Sequence, residues 1–83
     1  MLFRSAAGIS VYPIPAVKEL FVHTERQKLI GATLFNIQGM SVREAKGTAE
    51  QMFIMLEGLK QGNYMLLIRT RSGNFYRSVV VAE

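Results

Sequence analysis

Few residues in this chain could carry out chemistry. Its one histidine, His23, has neither a cysteine nor an aspartate to work with, and all six acidic residues are glutamates. A zinc-type metal site wants imidazole, thiolate or carboxylate ligands clustered at short spacing, and none surrounds His23. A nucleophilic triad wants a base, an orienting acid and a hydroxyl or thiol that can meet, and no such trio stands out. His23 is therefore read as a solvent-facing strand residue, and the chain as a non-enzyme that needs no cofactor or metal. Gly58 and Gly62 are spaced wrongly for a phosphate loop. Tyr12, Tyr64 and Tyr76 read as amphipathic residues with their hydroxyls near a rim, and a sugar-binding platform built on them is the lesser alternative.

Charge is the next possible handle. Ten basic against six acidic residues leave a net charge of +4. Nucleic acid is the reflexive inference, but Arg69, Arg71 and Arg77 fall at alternating positions in strand-like sequence. No zinc, helix-turn-helix or RNA-binding pattern accompanies them. The charge is read as a solvated sheet face or a protected sheet edge, not as a nucleic-acid site. An anionic partner would still find such a surface attractive.

What remains is recognition through backbone shape, and it concentrates in the last quarter. In Leu59-Lys60-Gln61-Gly62-Asn63-Tyr64, Gly62 can take backbone angles closed to other residues and so make a tight turn. Tyr64, Leu66 and Ile68 then alternate onto one face of a strand. A second turn at Ser72-Gly73-Asn74 leads into Phe75-Tyr76-Arg77-Ser78-Val79-Val80-Val81. The chain is expected to close on a β-hairpin that displays its tail end.

The elements that must position this hairpin are short strands. Seven are expected, over residues 9–12, 19–23, 30–37, 41–44, 52–56, 64–71 and 74–81. They are punctuated by Pro13-Ile14-Pro15 and by glycines at close intervals, as an all-β sandwich requires. Residues 1–8 read as a linker ending in the small residues Ser5, Ala6, Ala7 and Gly8, and residues 9–83 as one domain. A chain of 83 residues buries roughly 60–65% of its surface. No cysteine is present to cross-link it, so a sandwich core must supply the stability. No apolar run approaches the roughly 20 residues that cross a bilayer, and the start is too short for a signal peptide. One segment is ambiguous. Thr48-Ala49-Glu50-Gln51 has the form of a helix capping box, and Ala49, Met52, Phe53, Leu56 and Leu59 recur at helical spacing. On pattern alone, 48–60 reads as well as a helix as it does as a strand.

Four motifs in order resemble the type A C-terminal sorting domain of the Bacteroidetes type IX secretion system. They are Tyr12-Pro13-Ile14-Pro15, Phe35-Asn36-Ile37-Gln38-Gly39, Gly58-Leu59 with Gly62-Asn63-Tyr64, and the valine-rich basic hairpin at the end. The resemblance runs from Ile9 to about Val81. Ile14 stands where the family commonly has asparagine, Met40 and Met55 replace usual polar residues, and the terminus lacks the frequent lysine. The resemblance implies a seven-stranded immunoglobulin-like β-sandwich with Greek-key connections, and it favours the strand reading of 52–56. It implies a secretion signal that directs a longer cargo protein, of which this chain is a fragment, through the periplasm and the outer-membrane translocon to the cell surface. Its partners would be that translocon with its shuttle proteins and a sortase-like transpeptidase. The transpeptidase would cut the linker at Ser5, Ala6, Ala7 or Gly8 and join the cargo to anionic lipopolysaccharide. The residues expected to carry recognition are Gly62 and Tyr64, then Asn36 and Gly39, then Val79, Val80 and Val81, the last strand being read through its edge as well as its side chains. With 52–56 a strand, Ile54, Leu56, Leu66 and Ile68 face inward, and Phe53, Met55, Met65 and Leu67, with Phe35 nearby, form an outward face suited to docking or to self-association as a homodimer, unless loops or the linker cover it. The alternative is a retained binding or adhesion module of the same fold, either an uncut part of the secretion machinery or a carbohydrate-binding domain.

Overall fold

Period-two alternation is the pattern that a sheet with one buried face demands, and it sets most of the observed elements. The structure, a computed structural model, describes residues 3–4 and 8–82. Among them are nine strands and no helix: β1 (Phe3–Arg4), β2 (Ile9–Tyr12), β3 (Glu19–Thr24), β4 (Leu29–Phe35), β5 (Ser41–Glu44), β6 (Lys46–Gly47), β7 (Gln51–Met55), β8 (Gly62–Thr70) and β9 (Gly73–Val81). Seven match the expected strands, two with the same bounds and five with ends displaced by one or two residues. The count is nine because β1 and β6 add two residues each, too few to leave a periodic signal. Strand β1 falls within the segment expected as linker, where Phe3 pairs with Val11 and Arg4 with Ser10.

The strands form two antiparallel sheets, ordered β1-β2-β3-β7-β6 and β5-β4-β8-β9. The chain crosses between them after β3, β5 and β7. Their inner faces meet in one core: Ile9, Val11, Leu20, Val22, Met52 and Ile54 from the first sheet, and Leu29, Ala32, Leu34, Leu66, Ile68, Val79 and Val81 from the second. Each fully buried Leu, Ile or Val contributes about 1.5–3 kcal/mol. Loop residues Ala16 and Leu56 close the ends of this core.

Segment 48–60 is not a helix. Met52 and Ile54 are buried while Gln51 and Met55 are exposed, and Leu20 of β3 stands opposite Ile54. The capping-box residue Thr48 still caps. Its hydroxyl accepts from the amides of Glu50 at 3.3 Å and Gln51 at 3.2 Å, but the turn it closes delivers the chain into β7. Helical spacing lost because β3 offers a complete antiparallel partner, and sheet pairing overrides local propensity where one face is buried.

The crossing that starts at Pro13 and Pro15 reaches the last strand. Ala16 donates its amide to the Val80 carbonyl at 2.8 Å and accepts from the Ala82 amide at 2.7 Å, in a parallel bridge centred on Val81.

Candidate functional site

Residues 36–40 fold into a turn braced from inside. The Asn36 amide donates to the Met40 carbonyl at 2.9 Å, and the Gly39 amide to the Asn36 carbonyl at 3.0 Å. The Asn36 side-chain oxygen accepts from the amides of Gln38 and Met40, each at 3.0 Å. This is the local bonding that makes asparagine a turn residue. Gly39 closes the turn at φ +83° with open space around it, a conformation costly for any residue with a Cβ. The sequence reading carried a strand through Ile37; the chain leaves β4 at Phe35 because this bonding outcompetes the ladder. Ile37 is consequently 84% exposed and Met40 60%.

A second braced turn lies beside it. The Leu59 amide donates to the Leu56 carbonyl at 3.0 Å. Gly62 opens β8 at φ +146°. The Tyr64 hydroxyl donates to the Lys60 carbonyl at 2.6 Å, while the ring of Tyr64 packs on the core. Tyr64 thus ties its own turn down, four residues back.

Antiparallel pairing then brings in the last strand, with Gly62 opposite Val81, Asn63 opposite Val80 and Tyr64 opposite Val79. Two adjoining clefts result. One, of about 460 Å³, lies between Asn36, Gln38, Val42, Leu59, Lys60 and Gly62. The other, of about 490 Å³, is lined by Phe35, Met65 and Tyr76 together with Ile37, Gly39 and Ser78. Asn36, Ile37, Asn63 and Tyr64 line both. The glycine, asparagine and tyrosine positions read from the sequence therefore converge on one end of the second sheet. Val79 and Val81 are buried in the core, so of the three terminal valines only Val80, 42% exposed, presents its side chain.

Other expected positions fall elsewhere. Ser5, Ala6 and Ala7 lie outside the described residues; Gly8 is half-buried, and its carbonyl accepts from the Glu25 amide at 3.4 Å. Phe53, Met55, Met65 and Leu67 do not share a face. Phe53 and Met55 lie on the outer side of the first sheet, Met65 and Leu67 on that of the second. The chain changes sheet between β7 and β8, so outward means opposite directions for the two pairs. Phe35 does stand opposite Met65. On the first sheet Tyr12 stacks on Phe21, with ring centroids 5.6 Å apart.

The three arginines also separate. Arg69 lies on the outer face, donating to the Thr33 hydroxyl at 2.7 Å and pairing with Glu44 at 3.5 Å. Arg71 is exposed in the hairpin turn. Arg77 stands opposite buried Leu66, on the inner side of the edge strand β9. His23 is opposite Ser10 and Gln51, and no group of three or more His, Cys, Asp or Glu residues among those described could hold a metal. The sequence reading missed Ile37 and Tyr76 as cleft residues. The available signal was an isoleucine between Asn36 and Gly39, where a turn leaves it no core to enter.

A family model described as the secretion system C-terminal sorting domain matches residues 10–82. No curated protein and no solved structure matches the chain significantly.

Proposed function

Since this chain belongs to the family of secretion system C-terminal sorting domains, we propose that it is a folded address read where Asn36, Gly39, Gly62 and Tyr64 meet the last strand. The reader would be the type IX machinery that such signals serve. The carrying observation is the convergence of these residues on two adjoining clefts. Both turns are held by side-chain bonds to backbone, so the surface is ordered before any partner arrives, which lowers the entropic cost of binding.

In this reading the domain is substrate and ligand, never catalyst. The cargo passes through the periplasm and ends on the cell surface or outside the cell. A sortase-like transpeptidase cuts ahead of the sandwich, within residues 5–8, and transfers the cargo to lipopolysaccharide. The immunoglobulin-like Greek-key reading draws support from the strand orders β2-β3-β7-β6 and β5-β4-β8-β9. A homodimer through the expected four-residue face loses its basis, since that face is split between the two sheets.

The test is a fluorescent reporter with a periplasmic export signal and this chain at its C-terminus, expressed in a host with type IX secretion. Surface fluorescence is expected, and retention in the periplasm overturns the proposal.

A further inference from the structure

The four sheet edges seen among the described residues are not alike. Edge strands β1 and β6 are two residues each. The third, β5, has four residues, and its pairing with β4 slips between Leu34 and Phe35. The fourth, β9, runs nine residues in unbroken register with β8, from Gly73 opposite Thr70 to Val81 opposite Gly62. Edges are ordinarily kept short, kinked or proline-bearing, because unpaired N–H and C=O groups template further strands. Strand β9 has neither proline nor bulge.

This edge already accepts added backbone at its far end, where Ala16 bonds the Val80 carbonyl and the Ala82 amide. Those bonds fix the parity. Backbone groups of even-numbered residues point away from β8, so those of Tyr76 and Ser78 face outward along the rest of the edge. One guard stands there. Arg77, rooted on the inner side, donates from Nη1 to the Tyr76 carbonyl at 2.7 Å, and an inward-placed charge is a common edge protection. The hairpin itself carries only positive charge, since residues 59–82 contain Lys60, Arg69, Arg71 and Arg77 and no acidic residue; of these, Arg69 is paired with Glu44 of β5.

We propose that the outer edge of β9 at Tyr76 and Ser78, which no described strand pairs, receives an extended segment of a partner protein as an added strand, and that an acidic side chain of that segment takes over Arg77 from the Tyr76 carbonyl. This rests on the sorting-signal reading and names the chemistry of the partner that reads it. Main-chain bonds to Tyr76 and Ser78 supply affinity, and the anion supplies selectivity by displacing a guanidinium that otherwise satisfies the edge. A second copy of this chain is the poorer occupant, since self-pairing sets two cationic hairpins against each other.

Hydrogen exchange on the full chain gives the first test. The amides of Tyr76 and Ser78 are expected to exchange fast while those of Phe75, Arg77 and Val79 stay slow; slow exchange at Tyr76 and Ser78 overturns the inference. The second test is the reporter fusion carrying Ser78→Pro. This removes an outward N–H without touching the ladder to β8, as edge strands tolerate. Surface signal is expected to fall roughly tenfold or more with the thermal midpoint nearly unchanged, and Arg77→Glu should act likewise. If Ser78→Pro unfolds the domain, Arg77→Glu decides. A folded variant of either kind that is exported as well as the parent overturns this inference alone. A parent fusion that stays in the periplasm overturns the sorting-signal reading and this inference with it. A chain that sediments as a dimer, made monomeric by Ser78→Pro, assigns the edge to a second copy and also overturns it.

Discussion

Asn36 and Tyr64 do the same job from opposite sides of the cleft, each fastening a turn through one side-chain oxygen. Asn36→Ala removes the acceptor of two amide bonds and is expected to cost about 1–2 kcal/mol in urea unfolding, whereas Asn36→Asp retains most of the stability. Tyr64→Phe keeps the ring on the core and loses only the bond to Lys60. About 0.5–1 kcal/mol is expected for that change. Export of the fused reporter should follow the geometry of the turns more closely than it follows stability. Met65→Glu separates the two quantities. Met65 is 40% exposed and lines the second cleft, so the variant's melting point should move little while surface delivery falls.

At the level of elements, the loops before β4 and β7 hold the two sheets together at one end. The Leu29 amide donates to the Ala49 carbonyl at 2.8 Å and Lys28 pairs with Glu50 at 2.8 Å, while the Thr24 amide bonds the Glu50 carbonyl at 3.0 Å within the first sheet. The Lys28 ammonium, first by hydrogen bond and then by charge, lowers the Glu50 carboxyl below its ordinary value. A carboxyl lowered in the folded state stabilises fully above its unfolded value, and that stabilisation is lost as pH falls through the folded one. Glu50→Gln should therefore lower neutral-pH stability slightly, leave strongly acidic stability unchanged, and so flatten the acid-side loss. Both side chains are more than half exposed, so added salt should shrink the effect. Unfolding curves with and without salt across the acid range check this.

For the molecule as a whole, stability rests on one thin core with no cross-link. Ile54 and Leu66, from facing sheets, are each almost wholly buried, and truncating either to alanine should cost about 2–5 kcal/mol. A domain this size holds only about 5–15 kcal/mol in total. Either variant should lose export together with folding, unlike Met65→Glu, and a thermal melt beside the reporter assay distinguishes the two kinds of loss. The sandwich measures 32 × 25 × 20 Å. A stable dimer needs about 800 Å² per partner, roughly a whole broad face. The second sheet spends part of its outer face on the Glu44–Thr33–Arg69 cluster, which again favours recognition along an edge and its adjoining clefts.

Much of this was legible in one dimension. Alternating apolar residues in β3 and β8 determined which side chains are buried, because a pleated strand has only two faces. Phe35-Asn36-Ile37-Gln38-Gly39 and Gly62-Asn63-Tyr64 determined the turns, because Asn and Gly satisfy local backbone demands without help from elsewhere. Periodicity left segment 48–60 open between helix and strand and the family resemblance favoured the strand; the structure forms one over Gln51–Met55 because β3 supplies the partner. Tertiary structure alone decided that Phe53 and Met65 look in opposite directions, that Arg77 is rooted on the inner side of β9, and that Ala16 bonds the far end of that strand. Each depends on which sheet a strand joins and which neighbour it meets, and contacts between distant residues leave no periodicity to read.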